Sequence, residues 1–109
     1  MKLYGIKNCT SVKKAMDALR AGGLEFDFLD IKKIDEGVLD FWLSQREFKE
    51  LINTAGMMAK KLALDKQALE NLEKSTLKKL VLEHPSCIKR PVIEHQNRIH
   101  VGKEYEALI

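Results

Sequence analysis

An α/β fold is what this sequence predicts, from three observations. Residues 2–28 run through strand, helix and strand patterns in turn. Residues 35–84 carry helical patterns only. Residues 91–109 read as a hairpin followed by a short helix. The first pattern implies parallel strands joined by a crossover helix. The order is therefore βαβ, helices, then ββα.

Each element has its own signal. Residues 2–6 hold the apolar run Leu3-Tyr4-Gly5-Ile6, a short buried strand. Residues 10–21 place Val12, Ala15, Met16 and Leu19 at helical spacing, and Gly22-Gly23 ends that helix. Leu24, Phe26 and Phe28 then alternate with Glu25 and Asp27, which is strand periodicity. Asp35 suits the N-cap of a helix whose stripe is Val38, Leu39, Phe41 and Trp42. A short helix is expected at 46–52, broken near Asn53-Thr54-Ala55-Gly56, and another at about 57–63. Asp65 is expected to cap residues 66–73, and Ser75 a helix running to about Glu83, with no strand signal in this block. Pro85 ends it. Pro91 to His95 and Arg98 to Val101 flank Gln96-Asn97, a hairpin with a two-residue turn whose order leaves its type open. Tyr105, Leu108 and Ile109 suggest a terminal helix from Lys103. Two parallel strands plus a hairpin, covered by terminal helices, make a thioredoxin-like arrangement. Residues 1–109 then form a single domain, with halves at about 1–34 and 85–109 and a helical insertion at about 35–84.

Composition narrows the function classes. The 109 residues suffice for one modest core, and 45% apolar with 32% charged residues is ordinary for a soluble globular chain. No stretch reads as a membrane span or a signal peptide, so a cytoplasmic location is expected. The net charge of +3 is spread as +3 over residues 1–34, −1 over 35–83 and +1 over 84–109. Without a basic block, charge suggests neither direct nucleic-acid binding nor a membrane surface. Two cysteines, Cys9 and Cys87, make no disulfide framework, and a permanent bridge is not expected in a reducing compartment. The histidines at 84, 95 and 100 show no metal spacing with either cysteine. His84, before Pro85, suits a helix end, and Met57 and Met58 read as core or groove lining.

Cys9 carries the chemistry. It follows the first strand and precedes the first helix, where unpaired N–H groups and the positive end of the helix dipole gather. Both favour thiolate, the nucleophilic form. Lys13, one turn on, adds a cation. Asn8, Thr10 and Ser11 are candidate hydrogen-bond donors to the sulfur, although such residues also satisfy helix N-termini. By local features alone Cys9 equally suits a buried, inert strand end. Arg90 offers a planar fork to an oxyanion or carboxylate, or a surface ion pair. Cys87, among apolar neighbours, reads as core.

Three segments together resemble the ArsC/Spx family of thioredoxin-like proteins, closest to its YffB-like monothiol branch. They are Tyr4-Gly5-Ile6-Lys7-Asn8-Cys9-Thr10-Ser11-Val12-Lys13-Lys14-Ala15, Glu83-His84-Pro85-Ser86-Cys87-Ile88-Lys89-Arg90-Pro91-Val92, and Arg98-Ile99-His100-Val101-Gly102. The resemblance covers essentially the whole chain, so the single domain is ArsC-like. It implies Cys9 as nucleophile and Arg90 as the anion-holding arginine before a cis-proline, Pro91. It also implies a basic role at Lys13. Two departures limit the transfer. Spx-type sensors have Cys-x-x-Cys, whereas the fourth position here is Val12. Arsenate reductases of the family use three arginines, and only Arg90 matches; the others fall near Asn53 and Val101, with Arg98 resembling a different, structural position.

The resemblance then implies a thiol-dependent oxidoreductase with a single redox-active cysteine. No bound cofactor or metal is expected. Glutathione is the expected co-substrate, its carboxylates matched by Arg90 and nearby lysines. One alternative is an arsenate reductase coupled to glutathione and glutaredoxin. Another is a non-enzymatic Spx-like module that binds RNA polymerase.

Overall fold

In the computed structural model, which describes residues 1–109, the chain divides into two units. The first joins Met1–Ile31 to Arg90–Ile109, and the second is Lys32–Lys89.

The first unit is built on a four-stranded sheet in the order β2-β1-β3-β4. β1 (Lys2–Gly5) pairs parallel with β2 (Asp27–Asp30), Lys2 facing Asp27 and Gly5 facing Asp30. β3 (Val92–His95) runs antiparallel to β1, with Tyr4 facing Val92 and Lys2 facing Glu94. β4 (Arg98–Val101) closes the hairpin. The parallel pair needs a crossover, and α1 (Thr10–Ala21) supplies it with the bounds that its periodicity predicts. Val12, Ala15 and Leu19 are buried with Leu3 and Ile93, and Met16, Leu24, Phe26, Phe28, Tyr105 and Leu108 pack around them. Gly22 caps the helix, and Gly23 takes the left-handed φ of +76° that favours glycine.

β2 begins later than the alternation predicts. Leu24 and Phe26 lie in the lead-in, where Leu24 N–H still bonds to the Leu19 carbonyl as the helix unwinds. They reach the core from there, so the alternation reports packing rather than strand pairing. The hairpin turn resolves as type I′, since Gln96 and Asn97 both have positive φ, 52° and 62°. The terminal segment, Gly102–Leu108, is a 3-10 helix rather than an α-helix. It starts at Gly102, at φ +62°.

The second unit is mostly short helices. α2 (Glu36–Leu43) is capped by Asp35, whose Oδ1 accepts from Val38 N–H at 2.9 Å. α3 (Phe48–Leu51) and α4 (Met57–Lys61) follow, and Asp65 caps α5 (Lys66–Asn71) through Ala68 N–H at 2.8 Å. α6 (Lys74–Glu83) does not begin at Ser75. The Glu73 carbonyl already accepts from Leu77 N–H at 3.0 Å, so Glu73 is the N-cap and Ser75 lies in the first turn. His84 caps the other end before a 3-10 turn, Pro85–Cys87. Lys78 ties α6 to α2 through Glu36 at 2.9 Å and Asp40 at 2.7 Å. Trp42, Leu39, Leu51, Ile52, Leu77 and Cys87 are buried.

Two further expectations for this unit change. It contains an antiparallel bridge, Ile52 facing Ile88, flanked by Asn53 N–H to the Cys87 carbonyl and Lys89 N–H to the Leu51 carbonyl. Met57 is not core: it is 78% exposed at the start of α4, while Met58 is half-buried. No helix is long and apolar enough to cross a membrane.

Candidate active site at Cys9

The site lies in the first unit, at the end of β1. The strand ends at Gly5, and the exposed residues Lys7 and Asn8 turn the chain so that Cys9 N–H bonds to the Ile6 carbonyl at 3.2 Å. Cys9 has extended backbone angles, φ −94° and ψ 124°, and is the N-cap of α1. Its carbonyl accepts the helix's first bond, from Lys13 N–H at 3.0 Å. Burial of Val12, Ala15 and Leu19 anchors the helix and leaves Cys9 half-buried at its tip.

Arg90 arrives through sheet register. Tyr4 faces Val92 in the antiparallel β1–β3 pair. Continuing that register brings Pro91 and Arg90 beside Gly5 and Ile6, where the Cys9 turn departs. The Arg90–Pro91 bond is cis, as the resemblance implies. Pro91 is buried, and its carbonyl accepts from Gly102 N–H at 2.9 Å, so the start of the terminal 3-10 helix braces it. Arg90 is half-buried, with its Nε shielded from solvent, and its guanidinium donates to the Cys9 sulfur.

These neighbours set the state of the thiol. Partial burial, the largest influence, pushes the thiol up, because it penalises the charged form. Val12 N–H, the hydrogen bond and charge of Arg90, and Ser11 N–H act the other way and together prevail. Cys9 is therefore held below the ordinary thiol value of 9.0. The thiol does not make the side-chain bond of a capping Ser or Asp. It is the ionised sulfur that the two helix N–H groups and the guanidinium favour.

The remaining sequence candidates fall around this centre unevenly. Asn8, Thr10, Ser11 and Lys13 are all exposed. The donors that favour the thiolate are the backbone N–H groups of Val12 and Ser11, rather than the side chains of Asn8, Thr10 or Ser11. The cation beside the sulfur is Arg90. Cys87 is 1% exposed, in the core as read. Of the positions where the resemblance implies further arginines, Asn53 is exposed and Val101 is buried, while Arg98 is exposed on β4. No group of His, Cys, Asp or Glu side chains converges in a way that could hold a metal ion. An open depression in this unit, about 570 Å³ and lined by Met1, Arg20 and Phe26, lies at the other end of β1 from Cys9.

Sequence reasoning expected unpaired helix N–H groups at Cys9 without singling out that of Val12, and it missed the brace between Pro91 and Gly102. The first had a local signal, because an N-cap side chain meets the N–H groups two and three residues on. The second depends on tertiary pairing and had none.

Comparison with known proteins gives this geometry a context. The ArsC family model matches residues 4–108. A solved structure, the YFFB protein, is 36% identical and superposes with a TM-score of 0.83, over 97% of this chain and 93% of that one. An arsenate reductase (ArsC) related protein from Brucella melitensis is 34% identical, with a TM-score of 0.77 over 97% of this chain and 91% of that one. The global transcriptional regulator Spx of Bacillus subtilis is 29% identical over 104 residues, 92% of this chain and 77% of Spx.

Proposed function

The chain belongs to the ArsC family, and from that premise we propose that it is a glutathione-dependent thiol reductase with a single nucleophilic cysteine. The observation that carries the reading is the Cys9 sulfur at a helix N-terminus, hydrogen-bonded by Arg90 beside cis-Pro91. In the first step the Cys9 thiolate attacks the glutathione sulfur of a mixed disulfide. The Cys9–glutathione disulfide forms, the substrate sulfur–glutathione bond breaks, and the substrate leaves as thiolate. In the second step an outside glutathione thiolate attacks that adduct, releasing oxidised glutathione and restoring Cys9 thiolate. The substrate disulfide gains two electrons, supplied by glutathione. Val12 in place of a second motif cysteine, and the burial of Cys87, favour an outside thiol as the resolving partner. One arginine beside the sulfur favours a glutathione mixed disulfide as substrate over arsenate, for which the resemblance implies three.

Incubation with oxidised glutathione, followed by intact mass and peptide mapping, tests this. One glutathione per chain is expected, at Cys9, and none on Cys9→Ser. Arg90→Ala should slow capture about tenfold or more, the scale of one charged hydrogen bond. Cys87→Ser should behave as the parent. No adduct, or a Cys9–Cys87 disulfide in its place, would overturn the monothiol reading.

The similarity to Spx of Bacillus subtilis favours a second reading, a non-enzymatic module that binds RNA polymerase. Purified polymerase retained on the immobilised chain, with Cys9→Ser retained equally well, would support that reading over the first.

A further inference from the structure

We infer that Gly5 is a positioning residue for Cys9: by lacking a side chain it lets Val12 lock the first turn of α1 against β1, which fixes the N–H that faces the sulfur. This deepens the reading of Cys9 as a reactive thiol and rests on it. Gly5 ends β1 and is buried, and it is not among the glycines at positive φ. Its role is therefore space rather than backbone freedom. A methyl carbon built on Gly5 would lie 2.7 Å from Cγ1 and 2.8 Å from Cγ2 of Val12, and 3.4 Å from its Cβ. The first two distances are inside van der Waals contact, so one side must move.

Val12 has little freedom to be the side that moves. A valine is β-branched and stiff at χ1, with one strongly preferred rotamer in a helix. This one is fully buried, in a cluster with Leu3, Ala15, Leu19 and Ile93. The strain of an added methyl passes to the backbone, which carries the first turn away from the strand. That turn holds the N–H groups of Val12 and Ser11 that favour ionised Cys9. Arg90 reaches the sulfur from outside α1, from the segment that leads into β3, and would not follow the displacement. The charged groups nearest along the chain, Lys7 and Lys13, are exposed.

The test is the pH profile of Cys9 alkylation in the parent, Val12→Ala, Gly5→Ala and the double variant, with Cys87→Ser as the common background. The parent inflection should lie below 9.0; if it does not, the reactive-thiol reading fails, whatever the variants do. Emptying the seat with Val12→Ala, or overfilling it with Gly5→Ala, should raise the inflection by about half a pH unit or more. In the double variant the new methyl takes the space of the lost γ-carbons, and the inflection should return toward the parent. Melting temperatures are recorded alongside, because a merely structural glycine would lower them without moving the inflection. Should Gly5→Ala fail to fold, Val12→Ala and the double variant decide. An unmoved inflection in Val12→Ala, or a double variant that restores melting temperature but not the inflection, would overturn the proposal.

Discussion

At Cys9 an unfavourable and a favourable environment meet on one atom. Burial opposes ionisation, and the donors of α1 and Arg90 outweigh it. This balance has a consequence for stability as well as reactivity. The folded chain releases the Cys9 proton at lower pH than the unfolded chain, whose thiol keeps the ordinary value near 9.0. Between those two values the unfolded state binds more protons, so stability rises with pH there. The contribution is complete above the unfolded value and is lost as pH falls through the folded one. Urea unfolding at a series of pH values should show this rise in the parent and not in Cys9→Ser. Parallel curves for the two proteins would mean that Cys9 titrates alike folded and unfolded. The partners of Cys9 were unevenly legible in the sequence. The helix N-terminus was legible, because strand and helix signals meet at residue 9. Arg90 was identified through resemblance alone, because the register that joins it to Cys9 is a property of the sheet and leaves no local trace.

At the scale of elements, caps decided where the short helices begin. Asp35 and Asp65 were legible as caps because a carboxylate reaches N–H three residues on, and both do so. Ser75 has the same chemistry but is not used, since the helix starts at Glu73, whose longer side chain makes no cap bond. Glu73→Ser should therefore stabilise the protein by about 0.5–1 kcal/mol, by supplying the missing acceptor. Ser75→Ala should change stability little. Equal losses from Ser75→Ala and Asp35→Ala in thermal melts would show that Ser75 is the effective cap. The bounds of α1 were legible because its stripe is regular and Gly22-Gly23 stops it. The start of β2 was not, since Leu24 and Phe26 alternate like a strand yet enter the core from the lead-in. The Ile52–Ile88 bridge was hidden for a related reason: a single pair leaves no periodicity to read.

Across the whole molecule, each unit carries its own reporter. Cys9 belongs to the first unit; Cys87 and Trp42, the only tryptophan, belong to the second and are buried. A thiol reagent should modify one cysteine in the native protein, Cys9, and both after denaturation. As denaturant is raised, Cys87 should become reactive together with the fall in Trp42 fluorescence, because both report Lys32–Lys89. Reaction of Cys87 before that fall would mean that its 3-10 turn opens apart from the rest of the unit. The first unit is discontinuous, assembled from segments on either side of the second. On the ribosome this becomes an order of events. The turn at Cys9 is made early, whereas Arg90 and β3 emerge only after all of Lys32–Lys89 has been translated. Until then one edge of β1 lacks its neighbour, and the sulfur lacks its cation. A nascent or stalled chain carries a thiol without its guanidinium donor, and the reactivity proposed for Cys9 requires both segments to have joined. On the proposal that Cys9 is a reactive thiol, its reactivity marks the joining of the two segments of the first unit.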